Sequence, residues 1–345
     1  MSALYANVDV VPISRRQFVQ LSAAGLAAPS MVACSSADEL VIRPDGVPLS
    51  GFTAESTAFD VVAGLDLKDR NILITGGTSG LGLESARALA GRGATVWLTG
   101  RSLERAQIAC RQVGGDCRPL QLELEQPESI LACAQRFKQM ATQLDALVCN
   151  AGIMVLGERR LVGAVEQHFA VNHLGHFLLV HHLLAPLQSA PQGRVVVVGS
   201  SAYKWAPTAG IEFDNLDGAR DYTPNKAYGQ SKLANALFSL ELSQRLQGTP
   251  VTSNSINPGA ADTELWRHYP RWQQWLLAPV KGFLLKTAPQ AAATQCYVAT
   301  APTLASTSGY YFEDCNPVVP PAQVRDAELA AQLWATSERL LQPYL

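Results

Sequence analysis

The chain has 345 residues, 48% of them hydrophobic, and a formal net charge of -2. A balance this close to neutral, with no run of Lys and Arg, excludes a phosphate-tracking nucleic-acid binder, and the apolar fraction excludes a disordered polyelectrolyte. Seven cysteines (Cys34, Cys110, Cys117, Cys133, Cys149, Cys296, Cys315) without C-x-x-C spacing argue against a zinc ribbon or a disulfide framework; beyond Cys34 they read as small buried hydrophobes.

The first stretch in chain order reads as an address rather than as structure. "SRRQFVQ" places Arg15 and Arg16 ahead of a weakly apolar, Ala-rich run ending at Ala33, which is signal-peptide grammar. The run is too short to span a bilayer, which takes about 20 residues. The arginine pair resembles the twin-arginine export signal of bacteria, and "MVAC" (31–34) resembles a lipobox with Cys34 as the lipidated residue, although Met31 stands where Leu is usual. The other reading is an N-terminal helix docked on the domain, which Gly25, Pro29 and Ser30 would interrupt. The expected division is a signal over 1–33, a tether over 34–56 rich in Ser, Pro, Gly and acid, and one domain over 57–345.

From Asn71 onward, near-continuous apolar runs, "NILIT" (71–75), "TVWL" (95–98), "PLQL" (119–122), "ALV" (146–148) and "VVVV" (195–198), alternate with helical spacing. Alternation of this kind predicts an α/β fold: a single Rossmann-type doubly wound parallel sheet of about seven strands with helices on both faces. Ligands bind such sheets beyond the carboxyl ends of the strands.

The first strand runs into "TGGTSGLG" (75–82) and then into a helix. Gly76, Gly80 and Gly82 sit where a tight turn must bring backbone N–H groups and a helix N-terminus up to a pyrophosphate. The spacing T-G-x-x-x-G-x-G resembles the short-chain dehydrogenase/reductase superfamily, which implies that Thr75, Gly76, Ser79, Gly80, Leu81 and Gly82 bind the cofactor. The second strand ends "TGRS". With Gly100 where an NAD enzyme wants a carboxylate and Arg101 following, the sequence favours NADP over NAD. Glu123, with Leu124 beside it, resembles the acidic residue such enzymes place near the adenine.

Tyr228 and Lys232 in "YGQSK" share one helix face. A carbonyl reductase needs an acid for the developing alkoxide, and a fixed ammonium beside a phenol lowers its pKa. At matching places, Ser200 after "VVVVG" resembles the residue that holds the substrate oxygen. Asn172 in "VNHLGHF" resembles the asparagine that helps hold a proton-relay water. The resemblance also assigns Asn150, Ala151 and Gly152 of "CNAG", and Pro258, Gly259 and Thr263 of "NPGAADTEL", to the cofactor. It covers about 57–341, and segments such as "VNHLGHFLLVHHLL" and "SGYYFEDC" are similar to the retinol dehydrogenase and WW-domain oxidoreductase branch. An inserted loop before Tyr228 is expected over the substrate. Met154, Tyr203, Trp205, Trp266 and Tyr269 are candidates for an apolar pocket that would suit a lipophilic or aromatic substrate.

His173 and His176 share a helix face without a third ligand, so no metal is expected. The resulting expectation is an NADP-dependent alcohol/carbonyl oxidoreductase with a small-molecule substrate and no nucleic-acid partner, monomeric or homodimeric. Export would carry it to the periplasm or envelope, with any membrane link through a lipid on Cys34. The rivals are a cytoplasmic location and a non-catalytic NADP-binding sensor or scaffold.

Overall fold

The computed structural model describes residues 42–260 and 285–345. Arg15, Arg16, Cys34, Thr263, Trp266 and Tyr269, singled out above, lie outside the described residues.

Strands β1 (Asn71–Ile74), β2 (Thr95–Gly100), β3 (Cys117–Gln121) and β4 (Ala146–Cys149) are followed by a short hairpin, β5 (Leu161–Val162) and β6 (Val165–Glu166). Then come β7 (Gly193–Val198), β8 (Val251–Asn257), β9 (Tyr311–Glu313) and β10 (Asn316–Val318). The main sheet has 8 strands in the order β10-β9-β8-β7-β4-β1-β2-β3. All neighbours pair parallel except β9 and β10, so the expected parallel sheet carries an antiparallel strand added at one edge. Both edge strands contain a proline, Pro119 in β3 and Pro317 in β10, where a missing N–H is tolerated and further pairing is discouraged. The central strands are buried throughout because helices cover both faces, which is why their sequences do not alternate.

One face is covered by α1 (Ala58–Val61), α2 (Gly80–Ala90), α3 (Leu103–Val113) and α8 (Ala288–Thr300). The other is covered by α4 (Pro127–Met140), α6 (Gly175–Gln188), α7 (Pro224–Arg245) and the C-terminal α9 (Ala327–Leu341). A short helix α5 (Gln167–Phe169) and a π-helical turn over 170–174 run straight into α6.

The expected tether differs from residue 42 onward. Ile42 accepts a hydrogen bond from Val319 N, Arg43 Nη1 donates to Pro317 O, and Ser50 N donates to Asn316 Oδ1. Val47 is buried and the Phe52 ring meets Tyr297 edge-on. Two apolar anchors inside a polar composition are enough to lay this strip along the β9–β10 edge.

α6 and α7 are apolar on more than one side, so the sheet alone cannot cover them. α9 completes the cover through Trp334, whose ring stacks on Phe238, meets Phe177 edge-on at 4.7 Å, and lies under the Arg245 guanidinium at 4.4 Å. Trp334→Ala is expected to lower unfolding stability by about 3 kcal/mol through the cavity it leaves, read as a reduced midpoint in urea with an unchanged slope.

Candidate active site

Sheet order reverses between β1 and β4, and the crevice opens there. The loop leaving β1 is closed to side chains at its critical positions. Gly76 and Gly80 have φ of +65° and +55°, and a Cβ on Gly82 would lie 2.5 Å from Gly76 O and 2.8 Å from Asn150 Nδ2. α2 begins at Gly80 with no side-chain cap from Ser79 and no acid in its first turn, leaving its N-terminal N–H groups open to an anion.

Two loops are stitched together at this point. Thr75 Oγ1 accepts from Asn150 N and Ala151 N, each at 2.9 Å, while Asn150 Nδ2 donates to Thr75 O at 2.8 Å and Gly76 O at 3.2 Å. His176 Nδ1 donates to Asn172 O, so its Nε2 takes the Thr75 hydroxyl proton at 2.9 Å. Burial pushes His176 down to about 4, keeping the ring neutral in this role. His176 looks like an ordinary helix residue in the sequence; its partner lies about a hundred residues away in the loop after β1, and nothing local marks it.

At the end of β2, a Cβ on Gly100 would meet Thr78 Cγ2 at 2.8 Å and the backbone of Ser102 and Ala106 at 3.3 Å, so a side chain there would require its neighbours to shift. Arg101 is exposed, and Ser102 caps α3 by accepting from Arg105 N. Glu123 is half-buried after β3 and Leu124 is buried against Gly175.

Tyr228, Lys232, Asn172 and the turn after β7 come together at the same crevice. Lys232 Nζ lies 5.7 Å from the centre of the Tyr228 ring and donates to Val198 O at 3.1 Å. A Cβ on Gly152 would fall between Asn172 Oδ1 at 3.3 Å and Lys232 Nζ at 3.4 Å. Asn172 is fully engaged: Oδ1 accepts from Ile153 N, and Nδ2 donates to Ile153 O and Ser231 Oγ. Ser200 caps the 3-10 turn 201–205 by accepting from Ala202 N at 3.1 Å, whereas Ser201 is exposed. α7 packs directly on that turn, since a Cβ on Gly229 would lie 2.6 Å from Ala206 N.

Met154 and Ala202 pack on Tyr228, Tyr203 is buried edge-on against Tyr311, and Trp205 is partly exposed with its ring 6.4 Å from that of Tyr228. Pro258 and Gly259 follow β8, with Gly259 at φ +81°. Among the described residues no group of three or more His, Cys, Asp and Glu is placed to hold a metal, and His173 Nε2 instead donates to Ser337 Oγ.

A chloroplastic short-chain dehydrogenase, TIC 32 A of Brassica napus, is 40% identical over 307 residues, covering 85% of this chain and 95% of the relative. This chain belongs to the short-chain dehydrogenase family. The family model described as short chain dehydrogenase matches residues 70–212. Retinol dehydrogenase 11 of Homo sapiens is 37% identical over 80% of this dehydrogenase and 87% of its own length. Among solved structures, an uncharacterised protein from Mycobacterium paratuberculosis superposes with a TM-score of 0.66 at 31% identity, covering 85% of this chain and 98% of that one. The RhlG/NADP complex from Pseudomonas aeruginosa gives 0.58 at 27%, covering 72% and 95%. The dehydrogenase is thus an oxidoreductase acting on CH–OH donors, and the side-chain-free cradle at Gly76, Gly80 and Gly82 fits the phosphates of its nicotinamide cofactor.

Electrostatics in this dehydrogenase centre on Lys232. Burial pushes its ammonium down from 10.5 to about 8, and among the described residues no carboxylate offsets the effect. Below pH 8 the side chain is protonated folded and unfolded, so the native state bears the full penalty of a buried cation. Between about 8 and 10.5 the native state deprotonates first, and stability rises with pH. Lys232→Met is therefore expected to be more stable than the parent by about 2 kcal/mol at pH 7. Urea unfolding at pH 7 and pH 10.5 checks this: the gap should close at the higher pH, and a gap independent of pH would refute it.

Proposed function

We propose that this dehydrogenase interconverts an alcohol and a carbonyl on a lipophilic or aromatic substrate, using NADP. The observation that carries the reading is the Lys232 ammonium held beside the Tyr228 ring at the mouth of the crevice. Bound nicotinamide supplies or accepts the hydride. Tyr228 gives its phenolic proton to the substrate oxygen during reduction and takes it back during oxidation. Lys232 stabilises the phenolate electrostatically, and Asn172 holds the helix and the 153 peptide in register beside it. Ser200 is the hydroxyl assigned to the substrate oxygen; Ser201, exposed on the same turn, is its alternative.

Thr75, Gly76, Ser79, Gly80, Leu81 and Gly82 would hold the pyrophosphate, Glu123 and Leu124 the adenine, and Asn150, Ala151, Gly152, Pro258, Gly259 and Thr263 the nicotinamide half. Arg101 would meet a 2′-phosphate, a choice supported by the tight packing around Gly100, where an NAD enzyme wants an acid, and by an NADP complex among the structural relatives. A lipophilic substrate is supported by Met154, Tyr203 and Trp205 around Tyr228 and by the retinol dehydrogenases among the relatives.

Tyr228→Phe is expected to cut turnover of a panel of aldehydes and ketones, retinal included, by about a thousandfold with NADPH affinity unchanged. Of Ser200→Ala and Ser201→Ala, the variant with the larger loss identifies the substrate-oxygen ligand. Arg101→Ala should weaken NADPH about tenfold more than NADH. Wild-type turnover no greater than that of Tyr228→Phe would leave a non-catalytic NADP-binding protein.

For location, the reading is export by the twin-arginine route, with a lipid on Cys34 as the anchor. Lysine at both Arg15 and Arg16 should leave the protein active in the cytoplasm when fractions are assayed. A double variant that still reaches the envelope rules the route out.

A further inference from the structure

We propose that Glu166 and His168 are positioning residues that set the depth of the substrate pocket by fixing Met154 against Tyr228. The inference rests on the reading of Tyr228 as the proton-transfer residue.

Glu166 and His168 are 3% and 1% exposed, at the start of the helix that carries Asn172 and His176. Glu166 Oε2 caps that helix, accepting from His168 N at 2.8 Å and Phe169 N at 3.3 Å. Capping needs one oxygen. The other, Oε1, lies 2.7 Å from His168 Nδ1, and His168 Nε2 accepts from Val155 N at 2.9 Å. A nitrogen that accepts an amide N–H carries no proton, so the imidazole proton is on Nδ1 and points at Glu166.

The line of bonds thus runs from carboxylate to imidazole to the peptide just after Met154. The peptide just before Met154 is held by Asn172, whose Nδ2 donates to Ile153 O at 3.0 Å. Both peptides bordering Met154 are pinned, and its side chain packs on Tyr228 and Ala202. The His168 ring itself stands edge-on to Tyr228 with 6.0 Å between centroids. Glu166 N also donates to Leu216 O of the loop inserted before Tyr228, so one residue ties that loop and the Met154 loop to the same helix start.

Glu166→Gln is nearly isosteric yet mismatched. Its site presents N–H donors to both oxygens, and an amide has only one acceptor end. The amide NH2 must face either the capping N–H groups or Nδ1, and the second arrangement moves the imidazole proton to Nε2, against Val155 N–H.

With the full chain, NADPH and a bulky aromatic aldehyde, Glu166→Gln is expected to raise KM about tenfold while kcat changes by less than about threefold. NADPH affinity, read by nucleotide fluorescence, stays the same. In a Met154→Ala background the same substitution should change KM by less than about twofold, because the residue through which it acts is gone. His168→Phe, which keeps a ring against Tyr228 and drops the bond to Val155, should reproduce both the rise and its cancellation. An effect of equal size with and without Met154, or a loss of NADPH affinity with KM unchanged, overturns the inference. Wild-type turnover in the same assay reports separately on the dehydrogenase reading.

Discussion

The close approach of two loops at the split between β1 and β4 is the constraint on which the site depends. The Thr75 hydroxyl sits at the centre, accepting hydrogen bonds from two backbone N–H groups of one loop and donating one to His176 on the helix beside it. A Cβ at Gly76 would touch Ala151 at 3.0 Å, so the approach is as close as backbones allow. Because Asn172 shares that helix and clamps the Ile153 peptide, the cofactor cradle and the substrate side are held by one set of bonds.

Lys232 is held at an energetic disadvantage. A buried ammonium bonded to one carbonyl and, among the described residues, lacking a carboxylate partner is poor for stability. A carboxylate would stabilise the cation, and would equally screen it from Tyr228. Among the described residues no carboxylate offsets the Lys232 charge, which faces the Tyr228 ring at 5.7 Å.

How much of this was legible in the sequence follows from the range of each interaction. The glycine loop, the Tyr228 and Lys232 pair and the buried strands are set by spacing within one turn or one strand, and they stand where the spacing put them. The antiparallel β10, the anchoring of residues 42–52 along its edge, and the Thr75 to His176 bond join residues far apart in sequence, so no local pattern announces them. Ser200 was chosen for its place after β7; its cap on the next turn, and the exposed Ser201 beside it, depend on a turn geometry that two adjacent serines do not encode.

The C-terminal helix has a consequence for how the protein behaves on dilution. α7 carries Tyr228 and Lys232, and its outer face is covered by Trp334 from the same chain. A covalently linked cover acts at an effective concentration of the order of millimolar, whatever the amount of protein present. The packing behind α7 is therefore a first-order property of the chain itself, supplied from its own C-terminus.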